Sequence, residues 1–297
     1  MENKKNIQLV LLTMLFIVLT AILSACGLFS PDEKERQDTS SQTPSATSST
    51  ASTASNNGLL FLAEGQAEVS QTPSTTFPIV IDQPGNYTLT GNITVSTLNV
   101  NGIKIRAGNV TLDLAGYTIT GPGSGGSGVG IFVSQGENAQ IMNGAVQNFL
   151  SGISLSGSNH QVRNITSSHN SSFGIEAGYS LITDCQAISN GSHGFKANSS
   201  TITNCTANSN SSCGLQASES TVTGCTAQSN SSHGICTYGK CRIEGNIMRN
   251  NGGYGLYLNP DYSYAIKNKA GNNTAGDFYQ TGNHYLPVSG LEANVVE

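Results

Sequence analysis

The stretch "NSSHGICTYGKC", residues 230–241, places His233, Cys236, Tyr238 and Cys241 within twelve residues. An imidazole beside two thiols can bind a metal, form a disulfide, or pair a nucleophile with its base. Three further basic groups, His193, Lys196 and Arg242, could abstract a proton, and Glu176 and Asp184 are carboxylates in the same region. Whether any of these meet depends on the elements that carry them.

Those elements repeat. From Asn170 the chain reads "NSSFGIEAGYSLITDCQAIS", "NGSHGFKANSSTITNCTANS", "NSSCGLQASESTVTGCTAQS" and "NSSHGICTYGKCRIEGNIMR". Gly174, Gly194, Gly214 and Gly234 share one position, and Ile175, Phe195, Leu215 and Ile235 the next. The fourth unit holds one extra residue between Ile235 and Ile243. Looser units extend upstream through Gly152–Ile153, Gly130–Ile131 and Gly102–Ile103. No Leu-x-x-Leu-x-Leu core and no Asp-bearing glycine nonapeptide is present, and propeller blades are about twice as long. Three short strands per turn fit, so the expected fold is all-β: a right-handed parallel β-helix of about eight to ten coils with about 20–22 residues each. Ile202, Cys205 and Ala207 recur as Val222, Cys225 and Ala227, giving inward rows that stack like on like. The Asn170, Asn190, Asn210, Asn230 row is expected at a turn with positive φ, its amides bonding along the row.

The repeat also orders the reactive side chains. Phe173, His193, Cys213, His233 and Tyr254 form the row before each glycine. Its two histidines would stand about 9.6 Å apart, two coil spacings, too far for zinc bonds of about 2.0–2.3 Å. No metal and no other cofactor is expected from this row. Cys185, Cys205 and Cys225 form an inward row of small apolar thiols. Cys236 and Cys241 bracket the inserted residue and are placed for a local disulfide. Glu176 and Lys196 fall on adjacent coils facing outward, the arrangement of a cross-strand ion pair.

The chain begins with Lys4 and Lys5, an apolar run from Ile7 to Leu23, and "LSAC" at 23–26. Residues 1–25 thus have the form of an export signal, and the cysteine matches the lipobox of bacterial lipoproteins. That resemblance implies acylation of Cys26 and an extracytoplasmic, lipid-anchored location, with the membrane as partner. Residues 26–76, dominated by Ser, Thr, Ala and Pro, are expected to be a disordered tether. The β-helix is expected over 77–285, with 286–297 as a tail. Charged residues make up only 10% of the chain and net charge is −5, so no basic patch recruits nucleic acid.

"PIVIDQPGNYTLTGNITV" and "NGIKIRAGNVTLDLAGYTITGPG" resemble the N-terminal cap and first coils of bacterial right-handed β-helix proteins of the pectin-lyase-like superfamily. "SSHGI" and "ITNCTA" resemble their generic coils, and the resemblance spans about residues 78–285. It implies the fold strongly and activity weakly, because the superfamily hosts lyases, hydrolases, epimerases, adhesins and silent scaffolds. "SHGI" at 232–235 and "RIE" at 242–244 echo two motifs of polygalacturonase-type hydrolases, yet Asp184 stands alone where an inverting hydrolase needs a carboxylate pair. The expected function is therefore a surface binding or scaffold module for extracellular or cell-wall polysaccharide. Its candidate ligand contacts are Glu176, Lys196, Tyr254 and Tyr257. The alternatives are a polysaccharide lyase or related enzyme, with Lys196, His193, His233 or Arg242 as base, and a structural rod or adhesin.

Overall fold

The computed structural model describes residues 55–61, 66–123, 125–259, 262–282, 285–287 and 293–297. The export signal 1–25, Cys26 and the tether through residue 54 lie outside the described residues.

All regular elements among the described residues are strands. One parallel sheet takes a strand from each of ten turns, from Ile79–Ile81 to Gly276–Gln280. Two further walls are built from shorter strands, such as Thr201–Thr203 and Thr206–Asn208, each parallel to its equivalent one turn on. The register advances by one repeat without slipping: Ile175 pairs with Phe195, Phe195 with Leu215, and Leu215 with Ile235. The fold is the expected right-handed parallel β-helix. Alternation drives it: Ile175 and Ala177 point inward and are buried, while Glu176 between them is partly exposed. Each fully buried Ile or Leu contributes about 1.5–3 kcal/mol of transfer free energy, and stacking supplies the cover that one coil lacks.

The solenoid is longer than expected at both ends. Gln66–Val69 pairs in parallel with Gly85–Leu89, with Ala67 and Val69 buried. The first turn therefore starts inside the segment expected to be tether, before residue 77. Leu59–Phe61 folds antiparallel onto it, and Ser55–Asn56 pairs antiparallel with that strand in turn. At the other end Val295–Val296 pairs with Lys269–Ala270, so the last residues of the expected tail complete a wall. These segments are single alternating strands in Ser/Thr-rich or unpatterned surroundings, which gave the period nothing to register.

The corners are built by one device. A residue with φ near +50° to +60° turns the chain, and the next residue points its side chain inward. At one corner His169, Ser189, Ser209, Ser229, Asn250 and Asn272 hold the positive φ. The buried asparagines follow them, which corrects the expectation that these asparagines themselves take that conformation. Their amides are spent on the ladder: each Nδ2 from Asn170 to Asn251 donates to the next Oδ1 at 2.8–3.0 Å. Each Oδ1 also accepts the backbone N–H of the preceding asparagine. At the second corner the acceptors are Cys205, Cys225, Asn246, Asn268 and Asn294. At the third they are His160, Ser200, Ser220 and Ser263.

The glycine row serves this packing. A Cβ on Gly214 would come within 2.7 Å of both the Asn230 amide and the Gly234 carbonyl, so any side chain there would push the coils apart.

Replacing Asn210 by Leu orphans the Asn190 N–H, removes one of the two bonds of the Asn190 amide, and takes a donor from the Ala187 carbonyl. At about 1–3 kcal/mol per buried orphan, we expect a loss of about 3 kcal/mol or more in urea unfolding. Exposed Ser211→Ala should change stability by no more than about 0.5 kcal/mol.

His160 is 1% exposed and neutral in form. Its Nδ1 accepts the Ala139 N–H and its Nε2 faces the Ser156 carbonyl. Burial lowers its pKa from the usual value, opposed by the hydrogen bond to the Ser156 carbonyl and by the Glu137 charge. The unfolded chain therefore takes up the proton first as pH falls, and this contribution to stability is lost below about pH 6.5. The unfolding midpoint should fall between pH 7 and 5, and fall less in His160→Ser, which installs the side chain found at this corner one turn later. An equal fall in both would remove His160 from the account.

Candidate functional site

The outer face of the ten-stranded sheet carries two adjacent rows. One is Phe173, His193, Cys213, His233 and Tyr254, each just ahead of its glycine. The other, set by strand register, is Glu176, Lys196, Gln216, Cys236, Tyr257 and Tyr279. In the second row the side chains point away from the core because both sequence neighbours are buried inward, as Ile175 and Ala177 are beside Glu176 and Leu256 and Leu258 beside Tyr257.

At the N-terminal end of these rows Lys196 Nζ lies 2.8 Å from Glu176 Oε1 and 4.7 Å from the centre of the Phe173 ring. The cross-strand ion pair is thus as expected, with a cation–π contact added. His193 stacks on Phe173 at 5.9 Å and 7°. Beside them runs an open groove of about 500 Å³ lined by Ser154, Ser156, Glu176, Lys196, Asn198 and Gln216.

In the middle of the face Cys213 and Cys236 form a disulfide with Cα atoms 6.4 Å apart. This corrects the expected pairing of Cys236 with Cys241. Cys236 lies on the outward row, whereas Cys241 lies on the serine corner row, buried, with a free thiol whose pKa is raised by burial. The two point to opposite sides of one wall. Cys185, Cys205 and Cys225 are buried free thiols, as the inward row implies. Contact with the neighbouring thiol and burial raise the pKa values of Cys205 and Cys225. His193 brings a ring nitrogen within 4.8 Å of the sulfurs of Cys213 and Cys236. Its Nδ1 is buried without a hydrogen-bond partner. Burial lowers the His193 pKa, the Cys213 backbone opposes this, and the Lys196 charge reinforces it. The trio therefore contains Cys236 where sequence spacing had offered His233. Register held the signal: residues 213 and 236 fall on neighbouring outward rows of adjacent turns.

The C-terminal end is aromatic. His233 stacks on Tyr257 at 4.5 Å and on Tyr254 at 5.7 Å, and Tyr279 stacks on Tyr254 at 4.7 Å and Tyr257 at 5.1 Å. The rings face one another along the stack, so Tyr254 and Tyr257 offer edges and hydroxyls more than free faces. His233 Nδ1 accepts the Tyr254 N–H, and burial lowers its pKa. Tyr279 escaped the sequence reading because its turn lacks the Asn-Ser-Ser phrase.

The four candidate bases do not converge. His193 and Lys196 share one neighbourhood, and His233 sits two turns further along the same face. Arg242 belongs to another wall, where it bonds Glu244 and covers the Tyr264 ring at 5.3 Å. That bond, ahead of the other nearby charges, lowers the Glu244 pKa.

No curated protein matches this chain in sequence. Among solved structures it is similar to the A-module of a mannuronan C-5 epimerase from Azotobacter vinelandii, with TM-score 0.52 and 17% identity over 71% of this chain and 68% of that one. It is also similar to the ORF18 protein of Geobacillus virus E2, with TM-score 0.57 and 10% identity over 78% of this chain and 52% of that one, about half its length. At such identities these likenesses speak to fold. The family described as right handed beta helix region matches residues 79–241. That match covers more than half of the chain and coincides with the stacked parallel turns, and the chain belongs to this right-handed β-helix family.

Proposed function

We propose that this chain is a carbohydrate-binding β-helix module that lays an extended polysaccharide along the outer face of its ten-stranded sheet. The observation carrying this reading is the groove at Glu176 and Lys196, an ion pair set among serine hydroxyls and Asn and Gln amides. Such groups recur at the coil spacing of about 4.8 Å and suit a polyol that repeats along one direction. Each hydrogen bond adds only about 0.5–1.5 kcal/mol net, so affinity must come from several sugar units at once. Lys196, oriented by Glu176 and Phe173, is a fixed cationic donor, which favours a uronate carboxylate as ligand. The likeness to a mannuronan epimerase module makes mannuronan one polymer to test.

A second reading is favoured by one observation. His193, neutral through burial, lies beside Lys196 near the groove; these are the parts of a base that removes a proton α to a uronate carboxyl. Electrophoresis of the protein through gels containing uronate or neutral polysaccharide separates the readings. Retardation in the uronate gel is expected, weakened about 10-fold or more in Lys196→Ala, as loss of a charge-assisted bond of about 1.5–3 kcal/mol implies. Glu176→Gln, which frees Lys196 from its competitor, should retain or strengthen it. An unsaturated product formed by wild type and lost in His193→Ala would replace binding with lyase chemistry. Neither retardation nor product would leave a structural rod.

We also place the module outside the cytoplasm, held to a membrane by acylated Cys26 and a Ser/Thr tether. Cys26→Ser should lose palmitate label and leave the membrane fraction. Label and attachment that persist in the variant would refute the anchor.

A further inference from the structure

We infer that His193, Cys213 and Cys236 form a zinc site which the Cys213–Cys236 disulfide keeps closed until it is reduced. The three ligand atoms already lie within 4.8 Å of one another. A tetrahedral zinc with bonds of about 2.0–2.3 Å needs its ligand atoms about 3.5–3.8 Å apart. Cleaving the disulfide lets the sulfurs separate to that distance, and the nitrogen needs to move inward by only about 1 Å, within reach of side-chain rotation.

The backbone holds the set together once the covalent bond is gone. Cys213 and Cys236 stand on adjacent turns, their Cα atoms 6.4 Å apart, and the strands beside them are paired at Leu215–Ile235 and Gln216–Cys236. His193 is tied to the next turn by the Gly194 N–H to the Cys213 carbonyl. Reduction therefore yields two thiols at fixed spacing beside an imidazole, where a flexible loop would let them drift apart.

The surroundings suit a metal. His193 Nδ1 is buried with no hydrogen-bond partner, an unusual state for a polar atom in a folded protein, and a metal bond would satisfy the ring. Among the described residues this is the one such cluster of His, Cys, Asp and Glu ligand atoms. The other described cysteines lie on inward corner rows, buried with their own kind or with serine.

The chemistry balances with a dithiol as reductant. The disulfide takes two electrons and two protons from the dithiol, which leaves as its own disulfide. Zn²⁺ then displaces the two thiol protons to solvent and binds two thiolates and one neutral imidazole. Three protein ligands leave the fourth position to an outside molecule, the arrangement of zinc sites that act on a bound ligand. Cys213 and Cys236 are 4% and 1% exposed, so that fourth position would go to a small molecule such as water.

The test uses the full chain, reduced by a phosphine without oxygen and titrated with Co²⁺ and then Zn²⁺. We expect one equivalent of cobalt to give thiolate-to-metal charge-transfer and tetrahedral d–d bands, erased by zinc and absent from the oxidised protein. Cys236→Ser should lose the charge-transfer band or most of it, and Cys241→Ser should keep it whole. His193→Gln should shift the d–d bands and weaken zinc at least about 10-fold, with circular dichroism confirming that it folds. In the unaltered reduced chain, zinc should protect Cys213 and Cys236 from alkylation. The inference is overturned by any of three results: no thiolate band in the reduced protein, a full band in Cys236→Ser, or alkylation of both cysteines that proceeds without zinc and is not slowed by it.

Discussion

What the whole molecule depends on is an acceptor at each corner. Along the walls, N–H and C=O groups satisfy one another between turns. Where the chain bends, that ladder breaks and an N–H faces an interior lined by Ile, Val, Leu and Ala. A buried donor without a partner costs about 1–3 kcal/mol, and the penalty would recur at three corners in every turn. The chain meets it by turning on a residue of positive φ and aiming the next side chain inward, so that its oxygen, nitrogen or sulfur accepts the N–H of the turn before. Asn does this at one corner, Cys then Asn at the second, and His, Ser and Cys occupy the third.

This device sets the spacing of the repeat and the chemistry of its interior. Sulfur sits 3.4–3.5 Å from the N–H it accepts, a weaker bond than the 2.8 Å from Cys225 to Asn246. It suits positions where the side chain must also fill apolar volume. The switch from Cys225 to Asn246 replaces that volume with a stronger acceptor, and the asparagines then bond one another onward to Asn294. The glycine row follows from the same demand, since the ladder amides occupy the space a Cβ would need.

The period made the fold readable, because residues that repeat every twenty positions must stack, and stacking leaves few architectures. The inward rows, the Glu176–Lys196 pair and the stacked amides were legible for that reason. The φ role of the asparagines was misread: sequence shows that Asn favours positive φ, but it does not show that the preceding Ser or His carries the turn while Asn is spent on the ladder. The terminal turns were missed because Gln66–Val69 and Val295–Val296 each contribute one strand with no repeat to align. The disulfide is hidden in the sequence because Cys241 neighbours Cys236 along the chain, whereas Cys213 neighbours it only across one turn.

Pairing across turns also shows where function resides in such a scaffold. Inward and corner positions are bound by packing and by the acceptor rule, so their residue types report on the fold. Outward positions on the broad sheet have no such duty, and Ser, Thr, Asn or Gln there keeps a strand soluble. Departures from that background carry information: Glu176, Lys196, Phe173, His193, Cys213, Cys236 and the ring stack ending at Tyr279 all fall on two adjacent rows of one face. Because strand register is rigid, residues one turn apart on those rows are held about 4.8 Å apart at the backbone, whatever their distance in sequence. A solenoid can therefore assemble a site from single side chains on successive turns without remodelling a loop, and the rows must be read across turns before the residues along the chain make chemical sense.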